Sequence, residues 1–129
     1  MKKFFLFFLS LGIILPVTSF AFKADAGENL NLTTPINDDY YVGGSNINLN
    51  TNVNGDLCIA GGKMYINGNI SQDIMGIGGE YFINGNIGES ARIAGGTIVF
   101  EGTVEKDFLV AGGNITIGEK SNIKGETKI

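Results

Sequence analysis

The chain has 129 residues, nine Lys and Arg against 13 Asp and Glu, 20 Gly, one Cys and no His or Trp. That length fits one domain, and one Cys allows no internal disulfide. Without His there is no Ser–His or Cys–His catalysis and no ordinary zinc set, and the acidic balance argues against nucleic acid and anionic lipid surfaces.

The first element in chain order is an export leader, spanning residues 1–21. Lys2 and Lys3 precede an apolar run from Phe4 to Leu15, Pro16 follows, and Ser19-Phe20-Ala21 supplies small residues at the two positions a signal peptidase reads. The run is shorter than the ~20 apolar residues of a comfortable membrane span, so cleavage after Ala21 is preferred to an uncleaved anchor. Both readings place the rest of the chain outside the cytoplasm, with membrane contact only through an uncleaved leader. With Lys2 and Lys3 removed, seven basic residues face 13 acidic ones, a net charge of −6.

Residues 22–39 read as a lead-in running into a first strand or an end cap: polar, interrupted by Pro35, with a weak alternation at Leu30, Leu32 and Ile36. From residue 40 to 129 the chain is periodic. Glycine pairs recur at Gly43-Gly44, Gly61-Gly62, Gly78-Gly79, Gly95-Gly96 and Gly112-Gly113, with a first step of 18 residues and three of 17. Asp56, Asp73 and Asp107 keep the same step, with Ser90 in the slot between the last two. Asn67-Gly68 and Asn84-Gly85 recur downstream of their glycine pairs, with Glu101-Gly102 as a third copy. A fixed period marks a stacked repeat, and 17 residues is too short for a helical hairpin.

Apolar columns run through the repeat. Met64, Tyr81, Ile98 and Ile115 form one; Ile66, Ile83, Phe100 and Ile117 a second; Ile70, Ile87 and Val104 a third; Leu57, Ile74, Ala91 and Phe108 a fourth; and Ile59, Ile93 and Val110 a fifth, with Gly76 as its gap. Within a repeat they alternate with period two, as strands with one buried face require. The predicted fold is therefore all-β: a single-stranded β-solenoid of about five coils. Its glycines occupy corners where the backbone turns through positive φ or packs closely. The first coil reads as carrying one extra residue before Leu49. In the last, the apolar residue after Ile117 arrives two positions late, at Ile123.

Each candidate site has a plain alternative. The aspartate column, with Asp39 at its start, could hold a cation, but acceptance of backbone hydrogen bonds at a turn is preferred. The column Asn50, Asn67 and Asn84 suggests an amide ladder. Outward-facing Tyr65, Phe82 and Val99 form an apolar stripe, a candidate lateral contact unless it only stabilises its own wall. A second outward column, Cys58, Met75 and Leu109, is broken by Arg92. No phosphate-binding glycine loop and no catalytic constellation emerges, so no enzyme activity, metal or cofactor is expected.

The repeat Asp-φ-x-φ-Ala-Gly-Gly-x-φ-x-Ile-Asn-Gly-Asn-Ile (φ, apolar), clearest from Asp56 to Ile70 and, with Gly76-Ile77 in place of φ-Ala, from Asp73 to Ile87, resembles the bactofilins, or polymer-forming cytoskeletal proteins. The likeness runs from about Asp39 to Lys124. It implies a right-handed parallel β-helix that joins end to end into filaments without nucleotide. The export leader departs from the cytoplasmic members and is more similar to exported relatives with the same repeats. The expected partner is thus another copy of the chain, in an envelope scaffold. Ile47, Leu49 and Val53 at the early end, and Ile115, Ile117 and Ile123 at the late end, are the expected joints. The alternative is an envelope binding module whose wall, with Tyr65 and Phe82, recognises glycan or protein. The stretch from Ile117 to Gly125 is also similar to one coil of the left-handed hexapeptide acyltransferases, but their catalytic histidine and six-residue rhythm are missing.

Overall fold

A computed structural model describes residues 23–129, and the leader lies outside the described residues. The strands are β1 (Lys23–Leu32), β2 (Tyr40–Leu49), β3 (Leu57–Ile66), β4 (Ile74–Ile83), β5 (Ala91–Phe100), β6 (Thr103–Val104), β7 (Phe108–Ile117), β8 (Asn122–Ile123) and β9 (Thr127–Lys128). The six ten-residue strands stack in chain order, all parallel, and β9 follows β7. A second, narrow wall is the line of bridges Ile36–Val53–Ile70–Ile87–Val104, continued by β6 pairing β8. This is a β-solenoid of about six coils, with no helix among the described residues.

Each long strand is two short ones meeting at a bend. In β3, Leu57, Ile59, Met64 and Ile66 are buried. Leu57 to Ile59 and Met64 to Ile66 are steps of two positions, but Ile59 to Met64 is a step of five. The pairing registers skip one position within that interval, between Gly61 and Lys63. The period-two alternation thus breaks at the glycine pair, and the chain turns a corner there. With Ile70 on the narrow wall, the five apolar columns close around a dry interior. Tyr40, Tyr81, Phe100 and Phe108 are its largest fully buried side chains. Burying each aliphatic side chain of this kind contributes about 1.5–3 kcal/mol, and stacking supplies the burial that one coil cannot reach alone.

The gap at Gly76 is filled from within its own coil. The Tyr81 ring lies against it, and its hydroxyl would be 2.6 Å from a Cβ placed on Gly76. That hydroxyl sits 3.5 Å from the Ile59 carbonyl, the outer limit of a hydrogen bond.

Two expectations change. The first coil carries no extra residue: Tyr40 lies over Leu57 and Leu49 over Ile66, the same 17-residue step as elsewhere. Gly44 stacks on Gly61 and Gly43 on Ala60, so the first glycine pair merely begins one residue early. And no described residue, glycine or other, has positive φ. Close packing is what demands glycine at the corners. A Cβ on Gly61 would lie 2.5 Å from the Gly44 carbonyl oxygen, and one on Gly85 would overlap the Gly68 carbonyl outright. The predicted two-residue delay in the last coil is present: Val104 pairs with Ile123 and Phe108 with Thr127, 19 residues on. The surplus is taken up in the turn closed by the Ser121 amide donating to the Gly118 carbonyl.

The lead-in forms a coil in its own right. β1 pairs with β2 from Lys23 to Leu32, placing Leu30 over Ile47, Leu32 over Leu49 and Lys23 over Tyr40.

Candidate contact surfaces

The polar columns are satisfied between coils. The amide of Asp56 donates to the carboxylate of Asp39 at 2.8 Å, that of Asp73 to Asp56 at 2.9 Å and that of Ser90 to Asp73 at 2.8 Å; the Ser90 hydroxyl and Asp107 continue the series. Each carboxylate thus holds the backbone of the next coil, in keeping with the turn reading. Among the described residues no group of His, Cys, Asp and Glu side chains is arranged to hold a metal. The asparagine ladder is present: Asn84 donates to Asn67 at 2.9 Å and Asn67 to Asn50 at 2.8 Å, with Asn50 donating to Asn31. Asn52 and Asn69 accept from backbone amides one coil on. Both ladders stabilise the stack and leave their polar atoms engaged.

The residues expected at the ends divide. Ile115 and Ile123 are half-buried, and Ile117 is exposed, on the late end of the stack. β9 pairs only with Phe108 and Leu109, so among the described strands none lies along the outer edge of β7 beyond Leu109. Ile47, Leu49 and Val53 are fully buried, because β1 and Ile36 cover them. The early end is β1 itself. There the two columns that are apolar elsewhere are occupied by Lys23 and Asp25, over Tyr40 and Val42. Asp25 accepts a 2.5 Å hydrogen bond from the Tyr40 hydroxyl. Burial first, and this carboxylate second, push the Tyr40 phenol well above the ordinary tyrosine range. The early end is therefore polar where the other coils are apolar.

The stripe Tyr65, Phe82, Val99 stands in one line, each residue half-buried. Tyr65 and Phe82 stack on each other with centroids 4.9 Å apart and planes 13° apart, and the Lys63 ammonium lies 5.9 Å from both centroids while pairing with Glu80 at 3.5 Å. Ring faces engaged in this way favour the wall-stabilising role over a platform for a ligand.

The larger apolar surface lies on the preceding segment of each strand. Tyr41, Cys58, Met75, Arg92 and Leu109 form a ridge, and beside it Gly43, Ala60, Ile77, Ala94 and Ala111 form a furrow of small residues with one knob. Ile77 is 66% exposed, Met75 55% and Leu109 47%, higher than any other large apolar side chain described except Ile129. Together they bound a trough of about 970 Å³ that runs from Ala24 and Asp25 to Ile129. The sequence showed the ridge but not Ile77, whose signal was an isoleucine in a column otherwise made of glycine and alanine. Burial, with Asp56 and then Asp39 adding to it, pushes the Cys58 thiol above its usual range, which keeps it protonated and a poor nucleophile.

No known family model matches the chain, and neither curated proteins nor solved structures give a match.

Proposed function

We propose that this is a non-enzymatic structural protein, an exported bactofilin-like β-solenoid that assembles end to end into a scaffold or filament at the cell envelope. The observation that carries this reading is the late end. The β7 edge beyond Leu109 offers backbone amide and carbonyl groups to another strand, and Ile115, Ile117 and Ile123 continue three core columns up to that surface. An apolar interior that reaches an open edge is a template for a further coil. The six-coil stack is itself the product of that pairing, repeated at every step. The early end would join through the backbone of β1 and its polar columns, replacing Ile47, Leu49 and Val53 as the contact. Asp and Asn ladders fit a scaffold whose polar groups hold it together.

The test is Ile117→Glu in the full chain. Ile117 sits at the exposed rim, so the charge should leave the coils folded, with unchanged β-type circular dichroism, while sedimentation shifts from long assemblies to the smallest species. Wild type and variant sedimenting alike, as that small species, would refute end-to-end assembly.

A further inference from the structure

We infer that the end-to-end assembly proposed above, on which this rests, is head to tail, and that two copies build one coil between them. The layer after β7 is half filled in the described chain: β9 lies on Phe108 and Leu109, and no described strand follows along the outer edge from Val110 to Ile117. β1 is divided the other way. Its second half is apolar inward, with Leu30 and Leu32 over Ile47 and Leu49, whereas its first half sets Lys23 and Asp25 over Tyr40 and Val42. Each end thus holds the half coil that the other lacks.

The terminal half-strands match each other and differ from the middle ones. Asn29-Leu30-Asn31-Leu32 and Asn46-Ile47-Asn48-Leu49 open the stack and Asn114-Ile115-Thr116-Ile117 closes it, all alternating a short polar residue with an apolar one. In β3, β4 and β5 the second polar position holds Tyr65, Phe82 and Val99 instead. One 17-residue step past β7, a partner's β1 sets its Asn29 on Asn114, Leu30 on Ile115, Asn31 on Thr116 and Leu32 on Ile117, and its Ile36 comes onto Ile123. Like meets like at every position, and the core columns run on unbroken. Asn46 already donates its side-chain amide to Asn29 at 2.9 Å, and the partner's Asn29 repeats that bond onto Asn114 across the joint.

On the first half of the layer, β9 and the partner's Lys23 to Ala26 compete for the same place. Charge decides for β9. Lys23 and Asp25 seated there would be enclosed between Phe108 and Val110 below and the partner's Tyr40 and Val42 above, and enclosing charges is costly. Released from β2 at the bend after Gly27, both return to water. Thr127 then lies between Phe108 and the partner's Tyr40, bringing a hydroxyl to the phenol that Asp25 leaves.

The experiment is disulfide trapping in the full chain with Cys58→Ser as background. Thr116→Cys with Asn31→Cys, both exposed positions, should give a ladder of cross-linked oligomers on a non-reducing gel, and Thr116→Cys alone should give monomer. A dimer from Thr116→Cys alone, with no ladder from the pair, would show tail-to-tail joints and overturn the inference. Assemblies that sediment as wild type but yield no ladder would overturn it and leave end-to-end growth standing. Wild type that sediments only as the smallest species would refute that growth, and the inference with it. Ala26→Cys with Gly43→Cys tests the shared coil. The two positions pair, and a Cβ at Gly43 meets nothing closer than 3.8 Å, so the bond locks the first half of β1 onto β2. The oxidised chain should stay the smallest species and reduction should restore assembly. Long assemblies from the oxidised chain, or none after reduction, would overturn the shared coil.

Discussion

At the scale of single residues, two glycines in the same fold have opposite roles. A Cβ on Gly85 would overlap the carbonyl of Gly68 below it, whereas one on Gly43 finds its nearest neighbour, the Ala60 carbonyl oxygen, at 3.8 Å. Gly85→Ala should therefore destabilise by about 2–4 kcal/mol through forced separation of two coils. Gly43→Ala should be neutral or stabilising by about 0.5 kcal/mol, since it only restricts the unfolded chain and the column already holds Ala60, Ala94 and Ala111. Urea midpoints of the two variants decide it. The buried tyrosines give a second test. Burial raises the Tyr81 phenol above its ordinary range, and burial with Asp25 raises Tyr40. Their contribution is complete below the unfolded tyrosine pKa of about 10 and is lost as pH rises beyond it, because the unfolded chain then releases protons that the folded one retains. The urea midpoint should hold steady up to about pH 9–10 and fall above it, and Tyr40→Phe with Tyr81→Phe should flatten that fall.

At the scale of one coil, the step length is what the sequence displays best. Asp56, Asp73 and Asp107, the Asn-Gly pairs and the apolar columns all repeat because each position sits directly over its counterpart, so one local environment recurs at every level. The first coil was harder to read. β1 carries only Gly27 where later coils have a pair, and Lys23 and Asp25 where they have apolar residues; among the described strands it has one neighbour instead of two. Ile77 escaped for a different reason. A side chain's exposure at the trough follows from the angle of the bend at the glycine pair, which is a property of the assembled wall and leaves no trace in the alternation. The uniform step has a measurable outcome. Deleting residues 74–90, one whole coil, should leave every remaining column in register and the β-type circular dichroism intact with a lower melting temperature. Deleting 74–89 shifts all later residues by one and should abolish cooperative unfolding.

At the scale of the molecule, the coils share one axis but the two ends differ in chemistry. The early end presents Lys23 and Asp25 where the core columns emerge, and the late end presents Ile115, Ile117 and Ile123. Assembly should therefore respond to salt differently at its two kinds of surface: the apolar late joint little, any contact through β1 more.

The absence of left-handed backbone at the bends reaches beyond the finished structure. A turn written in positive-φ residues can form in an isolated peptide, but these bends are defined only by the carbonyls of the layer beneath. A fragment of one coil should accordingly stay unstructured, and nucleation must wait until neighbouring layers meet. Because most partners lie only 17 residues apart along the chain, growth from that nucleus closes small loops one after another, and the rod can lengthen by zippering rather than by a long-range search.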